Sequence, residues 1–244
     1  MPFLRKRRVG FRPKRATRKR GPTRGRRTLA RRKRTSRLPL PLAMPVQRHG
    51  FVKLKYCDNY QLTAATTYSV ERVFRLNSLY DPDLTGTGHQ PYMHDTLATM
   101  WRRYRVHGVK IHVTARNTTA GAADTVAYIR GVQETNTSST GTVASQLIES
   151  GQFIRRKRVP PLITAVGPQD KLAYMSCYLP LRKYASNGTL KDDDYAADFG
   201  NNPTSTIYGI IGWAGDAASD NNVDLHVEFT FFCELMNPIK LSQS

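Results

Sequence analysis

Val223-Asp224-Leu225-His226-Val227-Glu228-Phe229-Thr230-Phe231-Phe232-Cys233-Glu234-Leu235-Met236 is the clearest alternation in the chain. Val223, Leu225, Val227, Phe229, Phe231, Cys233 and Leu235 share one face; Asp224, His226, Glu228, Thr230 and Glu234 share the other. Neighbouring side chains of an extended chain point to opposite faces, whereas a helix would scatter this pattern around its axis. The stretch reads as a long strand with one face in a core.

Seven segments upstream carry related patterns: Phe51–Cys57, Thr67–Asn77, Val106–Arg116, Asp124–Val132, Gln152–Val159, Lys171–Leu179 and Thr206–Trp213. In the first, Val52, Leu54 and Tyr56 alternate with Lys53 and Lys55, which predicts a basic outer face. In the second, Val73 and Phe74 are adjacent, which predicts a bulge or contact on both faces. In the third, Val109, Ile111, Val113 and Ala115 face in, with Lys110, His112, Thr114 and Arg116 facing out. Asp95 resembles an N-cap, and Leu97, Met100, Trp101 and Tyr104 recur at helical spacing. Thr142 to Glu149 accommodates one or two helical turns. No strand–helix–strand alternation is present, so the eight strands predict an all-β, eight-stranded antiparallel jelly-roll sandwich with short loop helices.

Charge divides the chain differently. Arg5, Lys6, Arg7, Arg8, Arg12, Lys14, Arg15, Arg18, Lys19, Arg20, Arg24, Arg26, Arg27, Arg31, Arg32, Lys33, Arg34 and Arg37 precede the first acid, Asp58. Of 38 Lys+Arg, these take 18; the remaining 20 face 18 Asp+Glu, so nearly all of the net +20 sits on the arm. A self-repelling, apolar-poor cation cannot offset its ordering entropy by burial, so the arm is expected to be disordered until a polyanion binds it. Those 18 residues are the candidate nucleic-acid-binding set. Dense Lys/Arg also suits nuclear import receptors. Pro39, Pro41 and Pro45 stiffen a spacer, dividing the chain into an arm over 1–45 and a folded body over 46–244.

Other classes find little support. No stretch approaches the length of a membrane span, and the basic start lacks the apolar region of a secretory signal. Cys57, Cys177 and Cys233 are odd in number and widely spaced, which fits reduced thiols or a disulfide between subunits. Gly86-Thr87-Gly88 lacks the ending of a phosphate-cradling loop. His107 and His112, five apart on one strand, are expected on opposite faces and so cannot converge on one ion. Asp192-Asp193-Asp194 matches no calcium-loop spacing. No catalytic residue, cofactor or metal site is assigned. Arg155-Arg156-Lys157-Arg158 lies on a strand, so one pair at most faces a given nucleic acid; pairing with Asp192–Asp194 of a neighbouring subunit is the alternative.

Leu76-Asn77-Ser78-Leu79-Tyr80-Asp81-Pro82-Asp83-Leu84-Thr85-Gly86-Thr87-Gly88-His89-Gln90-Pro91-Tyr92, with Asp95, Tyr104-Arg105-Val106 and Val109-Lys110-Ile111, resembles the capsid proteins of small circular single-stranded DNA viruses, the circovirus-like, Rep-encoding group. That resemblance implies one jelly roll whose copies close into a T=1 icosahedral shell of about 60 subunits. It also implies arms turned inward on a single-stranded DNA genome, and entry into the host nucleus before assembly. The partners it implies are the genome, further copies of the chain and nuclear import receptors, with no membrane. A coat around RNA, or a non-viral nucleic-acid-binding protein, remains compatible with the basic arm.

Overall fold

The structure, a computed structural model, describes residues 49–64, 69–118, 125–132, 143–151, 153–161, 172–185, 188–215 and 221–239. Among the described residues nine strands form in chain order: β1 (His49–Ala64), β2 (Ser69–Arg75), β3 (Trp101–Asn117), β4 (Thr125–Val132), β5 (Arg155–Val159), β6 (Ala173–Pro180), β7 (Ala196–Asp198), β8 (Tyr208–Gly215) and β9 (Asn221–Pro238). Two short helices, α1 (His94–Ala98) and α2 (Ala144–Glu149), lie between them.

The strands make two sheets, one in the order β1-β9-β3-β6 and the other β2-β8-β4-β5, with β7 added beside β3. Every pairing is antiparallel. Without β7 the chain runs β1, β2, β3, β4, β5, β6, β8, β9, and four of these eight strands go to each sheet in the interleaved order of a jelly roll. The expected fold class is therefore the observed one. The ninth strand, β7, lies in the polar segment between Asn187 and Pro203, where three residues add to β3 at Arg103, Tyr104 and Arg105.

Between the sheets lies a core in which Phe74, Ile111, Val113, Trp213, Val227, Phe229 and Phe231 are almost completely buried. Each such side chain contributes roughly 1.5–3 kcal/mol of transfer free energy. β8 is buried on both faces, because α2 covers the outside of its sheet. Leu147 and Ala144 of α2 pack there with Tyr128, Ile210, Val73 and Phe153. Contact on both faces, and not a bulge, explains the adjacent Val73 and Phe74: β2 pairs with β8 in unbroken register, Val73 meeting the α2 cluster and Phe74 the core.

Two expectations are corrected. The apolar spacing through Met100, Trp101 and Tyr104 is not helical: α1 ends at Ala98 and Trp101 begins β3. Asp95 is not the N-cap; Met93 occupies that position with φ 71° and no capping side chain. Trp101 and Tyr104 are both buried although three apart, because the β3–β9 ladder skips Arg102 opposite Asn237, which has φ 57°. Backbone pairing on both sides of β3 outweighed a spacing that local propensity alone would read as a helix. Likewise His107 and His112 share the outer face, because a bulge between Val106 and Gly108 shifts the register by one. One extra residue in a strand reverses which face every later side chain occupies.

Candidate nucleic-acid interface

Arg5 to Arg37, the sequence-derived binding set, lie outside the described residues. Within the described structure, three places hold charge or polar groups dense enough to bind something.

The first is β5, the edge of the β2-β8-β4-β5 sheet, where Arg155, Arg156, Lys157 and Arg158 are all exposed. Their side chains divide between two faces as the strand period requires. Arg155 donates from Nε to the Ser176 carbonyl at 3.4 Å, toward the edge of the other sheet. Arg156 turns the opposite way, its guanidinium 6.0 Å from the centre of the Phe153 ring. Of the three acids named as the alternative partner, Asp193 meets arginines of its own chain, accepting from Arg103 at 3.3 Å and lying 3.9 Å from Arg105.

The second is the segment from Leu76 to Tyr92, which is a fastener. Asn77 is fully buried; it donates to the Ser205 carbonyl at 2.7 Å and accepts from the Ile207 N–H at 2.9 Å. Ser78 donates to Asn202 at 2.6 Å, and the Tyr104 hydroxyl bridges the Leu79 N–H and the Asn201 carbonyl. Arg75 binds Asp81 at 2.6 Å. Asp83, with no exposed side-chain area, accepts from Arg72, from the Thr85 N–H at 3.0 Å and from the Tyr60 hydroxyl at 3.4 Å. Gly88 is required because a Cβ would sit 2.8 Å from the Tyr56 hydroxyl. Burial and a neighbouring carboxylate, Asp58 or Asp83, push the Tyr56 and Tyr60 hydroxyls upward, keeping both neutral as donors. His89 places both ring nitrogens 2.8 Å from carbonyl oxygens, of Gln90 and Cys57. Only the doubly protonated ring can donate to both, so its pKa is raised.

The third is the outer face of the β1-β9-β3-β6 sheet, which no described element covers. Across it run the register partners Lys53–Phe232–Gly108 and Lys55–Thr230–Lys110–Tyr178. Alternation identified Lys53, Lys55 and Lys110 as outward, but their adjacency and the tyrosine beside Lys110 depend on strand order, which no local signal carries. Glu234, at one end of the face, accepts from His49 at 3.0 Å and His107 at 2.9 Å, with Arg105 at 3.7 Å.

Among the described residues no three His, Cys, Asp or Glu are placed to hold one metal ion. The described cysteines are free thiols, Cys57 exposed, Cys177 and Cys233 buried. Burial pushes the Cys177 thiol up to about 11, against the attraction of Arg155. Among the described residues an open depression of about 550 Å³ lies between Tyr60, Arg116 and Leu172.

No family model and no curated protein matches the sequence. Solved structures do resemble its fold. Cocksfoot mottle virus aligns over 78% of this chain and 94% of its own, with 13% identity and a TM-score of 0.45. Tobacco necrosis virus aligns over 79% and 97%, with 14% identity and a TM-score of 0.41. The decameric BFDV capsid protein aligns over 78% and 100%, with 14% identity and a TM-score of 0.38. The assignment of the fold rests on the strand order of this chain.

Proposed function

We propose that this protein is the coat subunit of a small circular single-stranded DNA virus. Copies of the jelly roll close into a T=1-like shell, and Arg5–Arg37 gather the genome inside it. The observation that carries the reading is the charge partition: 18 positive charges on an acid-free arm joined to a body that is nearly neutral. A balanced body can pack against copies of itself without long-range repulsion, whereas the arms must be held together by a polyanion. About 60 arms in a closed shell would carry on the order of 1,000 positive charges, matching the phosphates of a genome of one to a few thousand nucleotides. The strand order and the Leu76–Tyr92 segment support the same reading. The arm also serves as the nuclear import signal in this proposal, which places the protein in the virion and, before assembly, in the host nucleus.

Expression of the whole chain should yield closed particles by electron microscopy that protect DNA from nuclease. Removal of residues 1–37 should leave a protein that no longer packages it. Protection of RNA in place of DNA would reassign the cargo. Persistent monomers across salt and DNA length, or packaging without the arm, would refute the proposal.

A further inference from the structure

The outer face of the β1-β9-β3-β6 sheet carries features that the arm does not explain. Phe51, paired with Glu234 toward one end of the face, is 78% exposed, and Tyr178, on the edge strand β6, is 54% exposed. The Lys53 ammonium lies 5.4 Å from the centre of the Phe232 ring, and Phe232 meets Tyr178 edge-on at 5.6 Å. Tyr178 lies over Gly108, where any side chain would displace its phenol. Lys53, Lys55 and Lys110 form no ion pair with described residues, while the flanking Glu234 and Glu228 are each met by histidines.

We infer that this belt, from Lys53 across Phe232 to Tyr178, is a second binding site for single-stranded nucleic acid, on the folded body. Aromatic rings set among unpaired lysines are the two elements of a sequence-tolerant single-strand site: rings stack on bases and ammonium groups follow the phosphates. A duplex hides its base faces from such rings. The belt crosses four strands, about 14 Å at the usual strand spacing. The occupant follows from connectivity as well as charge: the chain enters β1 at His49, four residues before Lys53, so the polyanion gathered by the arm is tethered at this end of the belt. The inference rests on the proposed coat function and adds an orientation to it. The lysine face of this sheet turns toward the packaged strand, and the face of the other sheet, under α2, turns away.

The test uses the full-length protein and an iodouracil-substituted oligo(dT) probe, with photo-crosslinked peptides identified by mass spectrometry. Adducts are expected at Phe51, Phe232 or Tyr178 in addition to the arm. Adducts confined to residues 1–48 would overturn this inference and leave the coat function standing; no bound probe at all would overturn both. The triple variant K53Q/K55Q/K110Q should lower the slope of log affinity against log salt by about 2, at roughly 0.7 for each phosphate contact. Tyr178→Ala should weaken binding at least fivefold while Tyr178→Phe retains it. An unchanged slope, or an unchanged slope with altered particle size as a contact between copies would give, would overturn the inference.

Discussion

Replacing Arg72 by Met should cost more stability than replacing Asp83 by Asn, although the two side chains share one ion pair. The reason is the inequality of their burial. Asp83 has no exposed side-chain area, whereas Arg72 is 23% exposed. Removing the arginine leaves a carboxylate with only the Thr85 N–H and the Tyr60 hydroxyl, deep in the body. Breaking a buried pair in this way costs about 3–5 kcal/mol, and about 4 kcal/mol is expected here. Removing the charge of Asp83 strands a cation that still reaches water, the Thr85 and Thr87 hydroxyls and the Tyr60 ring. Two hydrogen bonds to a charge weaken, for about 2 kcal/mol. The double variant, Arg72→Met with Asp83→Leu, removes both charges, so its cost should fall short of the sum of the single Arg72→Met and Asp83→Leu variants by at least about 1 kcal/mol. Urea unfolding followed through Trp213, buried and bonded to the Leu62 carbonyl, reads the whole sandwich. A domain of this size loses about 2–4 °C of Tm per kcal/mol, so Arg72→Met should melt roughly 8–16 °C lower. Equal costs for the two single variants, or additive behaviour in the double, would show that the pair is solvated and that the Leu76–Tyr92 loop is held by its backbone contacts alone.

Titration should show two limbs. Burial pushes the Asp58 carboxyl up, but hydrogen bonds from Tyr60, the Asn59 N–H and Tyr56 outweigh it and hold the group below its usual value near 3.8. Its contribution is present above that value and is lost as pH falls through the lowered one, so Asp58→Asn should flatten the acid limb of a Tm–pH profile. His89 is raised above 6.5 chiefly by its bond to the Gln90 carbonyl, then by that to Cys57. Its contribution is complete below 6.5 and is lost as pH rises through the raised value; His89→Gln should remove that step. Gly212→Ala should cost about 2–3 kcal/mol in urea unfolding, because its Cβ would lie 2.5 Å from the Val70 carbonyl oxygen. Gly108→Ala should cost under about 1 kcal/mol, since the exposed Tyr178 can move aside. Thiol titration should label Cys57 alone in the native protein and all three cysteines in denaturant; Cys57 should react slowly because burial raises its thiol, with Glu228 and Asp58 adding.

Periodicity was enough to find all eight jelly-roll strands, because a strand with one face in a core must alternate, and the absence of strand–helix–strand units excluded a parallel sheet. Charge, which is additive along the chain, was equally legible: the +18 arm needs no coordinates to be recognised. Tertiary structure decided what depends on partners. β7 exists only because β3 offers a free edge at Arg103–Arg105. Trp101 joined a strand because β9 pairs with it, and His107 turned outward because of a bulge that the facing strand registers and β3 alone does not. The Leu76–Tyr92 segment was legible as the stretch that carries the resemblance, but that its buried Asn77 and Asp83 fasten the fold is seen only in the tertiary structure. Lys53, Lys55, Lys110 and Tyr178 come from three strands separated by up to 125 residues, so only the sheet order brings them into one belt. Adjacency across a sheet is set by how strands far apart in the chain share one core, and no short stretch of sequence contains that information.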